Sequence, residues 1–284
     1  MSAPDQAAHL KVYSQPETVA QYAGMDSLSA CEQHLFDAYL HSGMAILDLG
    51  VGGGRTTPCL SAIASRYVGI DYSEEMIRAC RSKFPHLQFN VADASDLSQF
   101  PDASFDSVVF SYNGLDCLVP YEKRENCLRE CHRVLKAGGI YVFSSHNPRG
   151  LFLDWRWDRD RLRRLARKVS QSEGLLFSLT LAALTCGRVM LGVARSFVKA
   201  IPRARRRLPT AAFWQGEGYI VDPSHGGLRM YGGIPSRVVA ELTCLGFKCL
   251  QILPENYPVS GNEYSTRWYY YAFSKNLTDA PRGA

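Results

Sequence analysis

The stretch Asp48-Leu49-Gly50-Val51-Gly52-Gly53-Gly54-Arg55 closes an apolar run that begins at Ala45 and opens directly onto a segment of helical spacing. Closely spaced glycines let the chain turn sharply and let a ligand approach the backbone, and the helix N-terminus beyond them offers unpaired N–H groups to an anionic group. Alone the pattern is a weak signal, because dinucleotide folds place G-x-G-x-x-G at the same point of the chain. The spacing here is G-x-G-x-G, and its surroundings decide the reading. The next β-rich run ends at Asp71, 23 residues after Asp48, where a carboxylate is placed to accept hydrogen bonds from both hydroxyls of a ribose. The third run ends in Val91-Ala92-Asp93, where a carboxylate can accept from an adenine amino group, so three successive runs end in an acid.

Outward from this point, β-rich runs (AILDLG, RYVGID, LQFNVAD, FDSVVFS, GGIYVFS) alternate with helical spacing from Ala45 to Phe143. That alternation predicts an α/β fold, a doubly wound and mainly parallel sheet with crossover helices. The best helix is Tyr121 to Lys136, with Leu128, Cys131, Val134 and Leu135 on one face and Gly138-Gly139 as its stop. Residues 1–44 form an N-terminal arm in which 16–42 read as one or two helices folding over the open edge of the sheet. Residues 45–150 are the core, and 151–230 read as a basic, helical insertion serving as lid or acceptor pocket. A helix from Ser236 to Leu245 and strands Phe247 to Leu253 and Trp268 to Ser274, paired antiparallel, complete a seven-stranded sheet within 231–275. The polar segment 276–284 is a frayed tail.

The 284 residues, 46% hydrophobic, suffice for one large α/β domain with an insertion. The net charge of +5 is uneven: residues 151–210 hold fourteen Lys or Arg against four Asp or Glu, a local +10, so the remainder carries −5. The excess therefore belongs to one segment and is not the signature of a nucleic-acid-binding fold. Nine cysteines without paired short spacing, among them Cys31, Cys59 and Cys244 in apolar runs, read as buried free thiols. They fit a reducing, cytoplasmic setting, as does a first segment, Met1 to Leu10, without the pattern of a secretory signal. The longest apolar stretch, Gly174 to Gly187, is followed by Arg188, Arg195 and Lys199, which argues against a membrane span. No metal-ligand spacing is visible.

Taken together, the motifs resemble the class I S-adenosylmethionine-dependent methyltransferase family. They run D-L-G-x-G-x-G from Asp48, G-I-D-Y-S-x-x-M from Gly69, V-A-D-A from Val91, S-F-D-S-V-V from Ser104 and L-K-A-G-G from Leu135. The resemblance is close from Ala45 to Ser145, loose over the last helix and hairpin, and says little about residues 150–230. It implies a Rossmann-like sheet, S-adenosylmethionine as cofactor and S-adenosylhomocysteine as product. It also implies cofactor roles for the loop Asp48, Gly50, Gly52, Gly54 and Arg55. Asp71 would hold the ribose, Asp93 with the Ala94 amide would meet the adenine, Tyr72 would flank it, and Ser111 would lie under the methionine. Tyr13 and Tyr22 resemble the aromatic lid that many small-molecule members close over the cofactor. The plain alternatives are that Asp48 ties the loop amides, Asp93 caps a helix, and the tyrosines are packing residues.

The acceptor side follows strands four and five and precedes the last helix: Tyr112, Asn113 and Asp116; His146, Asn147 and Arg149; His225, Arg229 and Tyr231. His146 and His225 are the candidate general bases near neutral pH, each weighed against being an ordinary loop histidine. Ser111-Tyr112-Asn113-Gly114 departs from the N/D-P-P-Y/F motif that some family members acting on amino nitrogens and nucleic acids carry, which argues against base-amino methylation. The insertion, apolar helical spacing flanked by RDRLRRLARK and RARRR, reads first as a lid over a small acceptor, second as an interfacial contact with an anionic membrane, and third as an RNA-facing patch. The expected reaction is methyl transfer to an oxygen, and in second place a nitrogen, of a small natural-product, sugar or lipid-linked intermediate. The sequence does not determine the oligomeric state.

Overall fold

Alternation along each strand divides the core in two. Leu47, Leu49, Val68, Ile70, Val108, Phe110, Tyr141 and Phe143 pack on one face of the sheet with Cys127, Leu128, Cys131, Val238 and Leu242. Their strand neighbours Ile46, Tyr67, Val109, Val142 and Tyr270 pack on the other with Cys31, Leu35, Phe36, Leu60 and Ile77. Successive side chains of a strand point to opposite faces, so a sheet with helices on both sides needs apolar residues at every position, as these runs have.

The computed structural model describes residues 3–152, 210–222 and 228–277. The elements begin with α1 (Ala3–Tyr13), α2 (Pro16–Ala23), α3 (Ala30–Tyr39), β1 (Met44–Leu49), α4 (Thr57–Ile63) and β2 (Ala64–Asp71). These are followed by α5 (Glu74–Lys83), β3 (Gln88–Val91), β4 (Phe105–Phe110), a 3₁₀ turn (Gly114–Cys117), α6 (Tyr121–Val134), β5 (Leu135–His146) and α7 (Pro148–Phe152). After the insertion come α8 (Thr210–Gln215), β6 (Glu217–Asp222), β7 (Leu228–Gly233), α9 (Pro235–Cys244), β8 (Phe247–Pro254) and β9 (Trp268–Lys275). The main sheet has seven strands in the order β3-β2-β1-β4-β5-β9-β8. Its first five are parallel and β9 runs antiparallel to both neighbours. The reversal of strand order at β1 and β4 is the topological switch point of such sheets, where ligands bind beyond the C-terminal strand ends.

Several expectations change. Helix α1 was not foreseen, and α3 packs Leu35, Phe36 and Leu40 against a face of the sheet, not over its edge. Helix α6 ends at Val134 and passes directly into β5, while Lys136–Gly139 loop out where the β4–β5 register jumps from Leu135 to Ile140; the two glycines serve a strand irregularity and not a helix stop. Residues 217–233 contain a β6–β7 hairpin with Tyr219 facing Tyr231, inside the stretch read as insertion. Residues from Ala211 onward group with the core, and Leu153–Thr210 form a separate unit. The helical readings within 154–207 lie outside the described residues. Cys244 is exposed, contrary to its reading as a buried thiol, because it closes α9 on the outward side.

Candidate functional site

Beyond the ends of β1, β2, β3 and β4 lies a cavity enclosing about 840 Å³ of empty space including its open mouth. The glycine loop forms its floor. Gly50 and Gly52 have φ of 58° and 54°, in the left-handed region, and a Cβ on Gly50 would stand 2.7 Å from the Phe110 ring. Glycine is required there by both backbone and space. Gly53 packs so closely under α2 that a Cβ would lie 2.3 Å from the Ala23 amide nitrogen.

Asp71 reaches into this cavity from β2. Its Oδ2 accepts from the Gly52 amide (2.9 Å) and its Oδ1 from the Ser73 amide (2.9 Å), so it ties the loop to the start of α5. Burial pushes its carboxyl up to about 6 against those amide bonds. Asp93 lines the cavity with Ala92 and Ala94; it accepts from the Ser95 amide and hydroxyl and pairs with Lys123 Nζ at 2.6 Å. Burial would raise Asp93, but the Lys123 and Ser95 bonds outweigh it and hold the carboxyl below its ordinary value. The plain alternative for Asp93, a helix cap, does not hold: no helix follows it before β4, and its Ser95 bonds close a turn in the cavity wall.

Tyr13, Tyr22 and Tyr72 come together from α1, α2 and the β2 end. Tyr13 stands edge-on to Tyr22 at 5.9 Å and to Tyr72 at 6.3 Å, and its hydroxyl lies 3.7 Å from Cys117 Sγ. Burial, with Cys117 nearby, pushes the hydroxyls of Tyr13 and Tyr72 far above their ordinary value, so both are neutral phenols. The buried Tyr72 hydroxyl has no hydrogen-bond partner among the described residues. His9, one turn before Tyr13, also lines the cavity and has Nε2 2.7 Å from the Arg229 carbonyl oxygen, which ties α1 to β7.

Asp48, Gly54 and Arg55 do not line the cavity. Asp48 is buried behind the loop, accepting from Thr56 Oγ1 (2.7 Å) and Tyr67 Oη (2.8 Å), and burial pushes it up to about 6. Gly54 faces the Phe84 ring of α5. Arg55 turns to Glu32, with Nη1 and Nη2 at 2.7 and 2.5 Å from its two oxygens, and its guanidinium lies 4.9 Å from the Tyr112 ring centre. Glu32 completes a capping box with Ser29 at the start of α3 and also accepts from the hydroxyl of Ser111, which does line the cavity. Burial opposes its ionisation, but the Arg55 bond and charge, Ser111 and the Ser29 amide hold it below the ordinary carboxylate value. The sequence reading passed over Glu32; the Ser29-x-x-Glu32 spacing is a capping-box signal that could have marked it, while its second arm, to Arg55 and Ser111, has no local signal.

Of the expected acceptor-side residues, Tyr112 lines the cavity and is 47% exposed. Asn113, Asn147, Arg149, Arg229 and Tyr231 do not line it. Asn147 is a buried strut donating to the carbonyls of Glu263 and Thr266, and Arg149 pairs with Glu263. Arg229 lies over the Tyr219 ring and Tyr231 packs on Tyr121, so both build the hairpin. His146, at the end of β5, is 6% exposed and set back from the cavity, with Nε2 3.4 Å from Asn113 Nδ2. His225 lies outside the described residues. Cavity residues outside the quoted motifs include His9, Cys117, Leu118, Val119 and Lys123, brought in by tertiary packing.

Comparison with known proteins places this geometry. Residues 47–143 match the family model described as a methyltransferase domain. A demethylmenaquinone methyltransferase of Clavibacter sepedonicus is 41% identical over 104 residues, covering 36% of this chain and 40% of that protein. A fatty-acid O-methyltransferase of Mycolicibacterium smegmatis is 30% identical over 117 residues, 40% of this chain and 41% of that protein. The matched stretch thus spans about 40% of the length of these curated relatives. The crystal structure of the CcbJ methyltransferase from Streptomyces caelestis superposes with a TM-score of 0.56 at 17% identity, covering 93% of this chain and 98% of that one, which establishes the shared fold. The match spans the strands whose ends build the cavity, and over that stretch the chain is similar to S-adenosylmethionine-dependent methyltransferases, residues 47–143 being a methyltransferase domain.

Proposed function

We propose that the chain transfers a methyl group from S-adenosylmethionine to a hydroxyl oxygen of a small, largely apolar acceptor, a natural-product, sugar or lipid-linked intermediate. One observation carries this reading: a single cavity joins the left-handed glycine loop, the strand-end acids Asp71 and Asp93, and a wall of Phe110, Cys117, Leu118 and Val119. The residues present fit the cofactor. Asp71 retains acceptor capacity beyond its two amide bonds for a ribose diol, and the Tyr72 hydroxyl stands without a partner among the described residues. Asp93 and the Ala94 amide are assigned to the adenine, Gly50, Gly52 and Ser111 to the methionine, and Tyr13 and Tyr22 to the lid.

When bound, the cofactor supplies a methyl group already activated by its sulfonium, so that a carbon–oxygen bond forms as the carbon–sulfur bond breaks, with the electron pair left on sulfur. This chain's task is then positioning, exclusion of water and removal of the acceptor's proton. Tyr13, Tyr22 and Tyr72, closely packed, exclude water; His146 is assigned as the general base. The name of the fatty-acid O-methyltransferase relative supports an oxygen acceptor with an apolar body. The test is transfer of labelled methyl from S-adenosylmethionine to a panel containing a long-chain fatty acid, an alkylphenol and a prenylated hydroquinone, beside a primary amine. Label in an oxygen acceptor supports the reading, label in the amine alone replaces oxygen by nitrogen, and failure of the protein to bind S-adenosylhomocysteine overturns it.

A second reading concerns location: the acceptor is met at an anionic membrane surface. It is favoured by Trp214, 77% exposed in α8 immediately after the segment that carries the local +10.

A further inference from the structure

Behind the β4 end, a buried carboxylate collects four donors. Asp116, on the 3₁₀ turn, is fully buried. Its Oδ1 accepts from Arg124 Nη1 at 2.9 Å and from Ser145 Oγ at 2.7 Å. Its Oδ2 accepts from the His146 backbone amide at 2.6 Å and lies 2.8 Å from His146 Nδ1. Arg124 is itself fully buried and held on its other side by Glu241, with Nη2 3.1 Å from Oε2. Burial would weaken its charge, but Glu241 and Asp116 overcome that and raise its ionisation further. Turn, α6, β5 and α9 therefore meet in one connected network.

We infer that Asp116 is the positioning residue of this site: its contact fixes a proton on His146 Nδ1 and turns Nε2 to the side from which the acceptor's proton arrives. The inference rests on the proposed methyl transfer and deepens it. A carboxylate paired with a guanidinium has only acceptor sites, so an imidazole nitrogen 2.8 Å away must bring the proton to that contact. The remaining lone pair sits on Nε2, which faces Asn113 Nδ2 at 3.4 Å, a long contact that an incoming hydroxyl can replace. Asn113 stands between Tyr112 and Gly114, both cavity residues, so Nε2 is one side chain away from the cavity.

The backbone that carries Asn113 fits the same role. Tyr112 and Asn113 have φ of 57° and 62°, two consecutive non-glycine residues in the left-handed region. Such conformations persist only where the surroundings impose them, and they gather at functional sites. Here the imposing contacts are the Ser144 hydroxyl, which accepts from the Asn113 amide at 2.7 Å, and the Phe110 ring, against which a Cβ on Gly114 would come within 2.1 Å. In the transfer step the acceptor hydroxyl gives its proton to Nε2 as its oxygen takes the methyl group. The resulting imidazolium keeps its Nδ1 proton toward Asp116, whose charge opposes it.

The test is long-range proton–nitrogen NMR on protein with ¹⁵N-labelled histidine, with His146→Gln identifying the signal. The parent should show the Nδ1–H tautomer with an unprotonated Nε2 at about pH 8, and Asp116→Asn should move the signal toward the Nε2–H form. An Nε2–H tautomer in the parent overturns the inference, and the only variant this reading needs is His146→Gln, for the assignment. Asn113→Ala removes the Nε2 contact and leaves Asp116 in place, so the Nδ1–H signal should persist; its loss would assign the tautomer to Asn113 and overturn the inference. With an acceptor from the panel, Asp116→Asn and His146→Gln should each lower kcat by about 10²- to 10⁴-fold, the range of general-base catalysis, with the acceptor KM moved by less than about threefold. An unchanged kcat in Asp116→Asn with a displaced tautomer also overturns it. S-adenosylhomocysteine binding, measured alongside, should be as in the parent for both variants. Absence of binding in the parent itself would strike the function reading and leave the tautomer result standing.

Discussion

Asp48 and Asp71 end neighbouring strands, and burial pushes both carboxyls up to about 6. Only Asp71 lines the cavity. Asp71→Ala is therefore expected to weaken S-adenosylhomocysteine binding by roughly 1–3 kcal/mol, the cost of a lost buried acceptor, in isothermal titration. Asp48→Asn should leave that binding as in the parent, because its contacts are Thr56 and Tyr67 behind the loop, and an amide oxygen can accept from both. The sign of its effect on stability follows from linkage. A carboxyl raised in the folded state binds more protons there than in the unfolded chain, so its stabilising share is full below the unfolded value of 3.8 and is lost as pH rises through about 6. Asparagine does not ionise. The melting temperature of Asp48→Asn relative to the parent should accordingly rise between about pH 4 and about pH 7, toward a gain of at most about 3 kcal/mol. A difference that stays flat across that range would show that Asp48 titrates normally. None of this division of labour was legible in the D-x-G-x-G-x-G motif, which fixes the loop's conformation but not which side of it each carboxylate occupies.

At the level of elements, α3 and the glycine loop are held together by charge and α2 and the loop by shape. Glu32 and Arg55 form a largely buried pair that also engages Ser111 at the end of β4. Glu32→Gln leaves the Arg55 guanidinium without its counter-ion, and breaking such a pair costs roughly 3–5 kcal/mol, to be read from denaturant unfolding. A loss below about 1 kcal/mol would mean that the pair behaves as an exposed one. Gly53→Ala would push α2 off the loop, since the Cβ has backbone and not a flexible side chain in its way. It should loosen S-adenosylhomocysteine about tenfold or more and expose 1–24 to limited proteolysis, with the β-sheet intact by circular dichroism. The strands, α6 and the closing β8–β9 pair were readable because short apolar runs, buried on both faces of the sheet, and a period-3.6 apolar helix face are both written in the local sequence. Two elements were not. The β6–β7 hairpin is stabilised through Tyr219 and Tyr231 by residues of α6, far away in sequence, and α1 is fixed by contacts of His9 and Tyr13 that its own pattern does not announce.

Across the whole molecule, the motifs marked the cavity's two acids, Asp71 and Asp93, and its glycine loop but not its apolar side, nor the pairing of His146 with Asp116, because chain separation hides which loops meet. Charge, by contrast, is fully legible: +10 within residues 151–210 against −5 elsewhere, a larger asymmetry than the overall +5 suggests. Among the described residues no helix is long and apolar enough to cross a membrane, and the lipid contact proposed above is one with an anionic surface. Such a contact needs two things: basic residues attracted to anionic headgroups and an apolar anchor free to enter the interface. The sequence supplies the first, and Trp214, at 77% exposure in α8, has the character of the second. The protein should therefore sediment with phosphatidylglycerol vesicles in preference to phosphatidylcholine ones, and release should follow as ionic strength rises from about 0.05 to 0.5 M, since screening shortens the reach of the attraction. Trp214→Ala should lower the fraction bound at low salt without altering the steepness of the salt dependence, because it removes burial and not charge. Equal binding to both vesicle types would leave the charge no role in attraction. Binding that survives high salt but fails in Trp214→Ala would make the contact an apolar one.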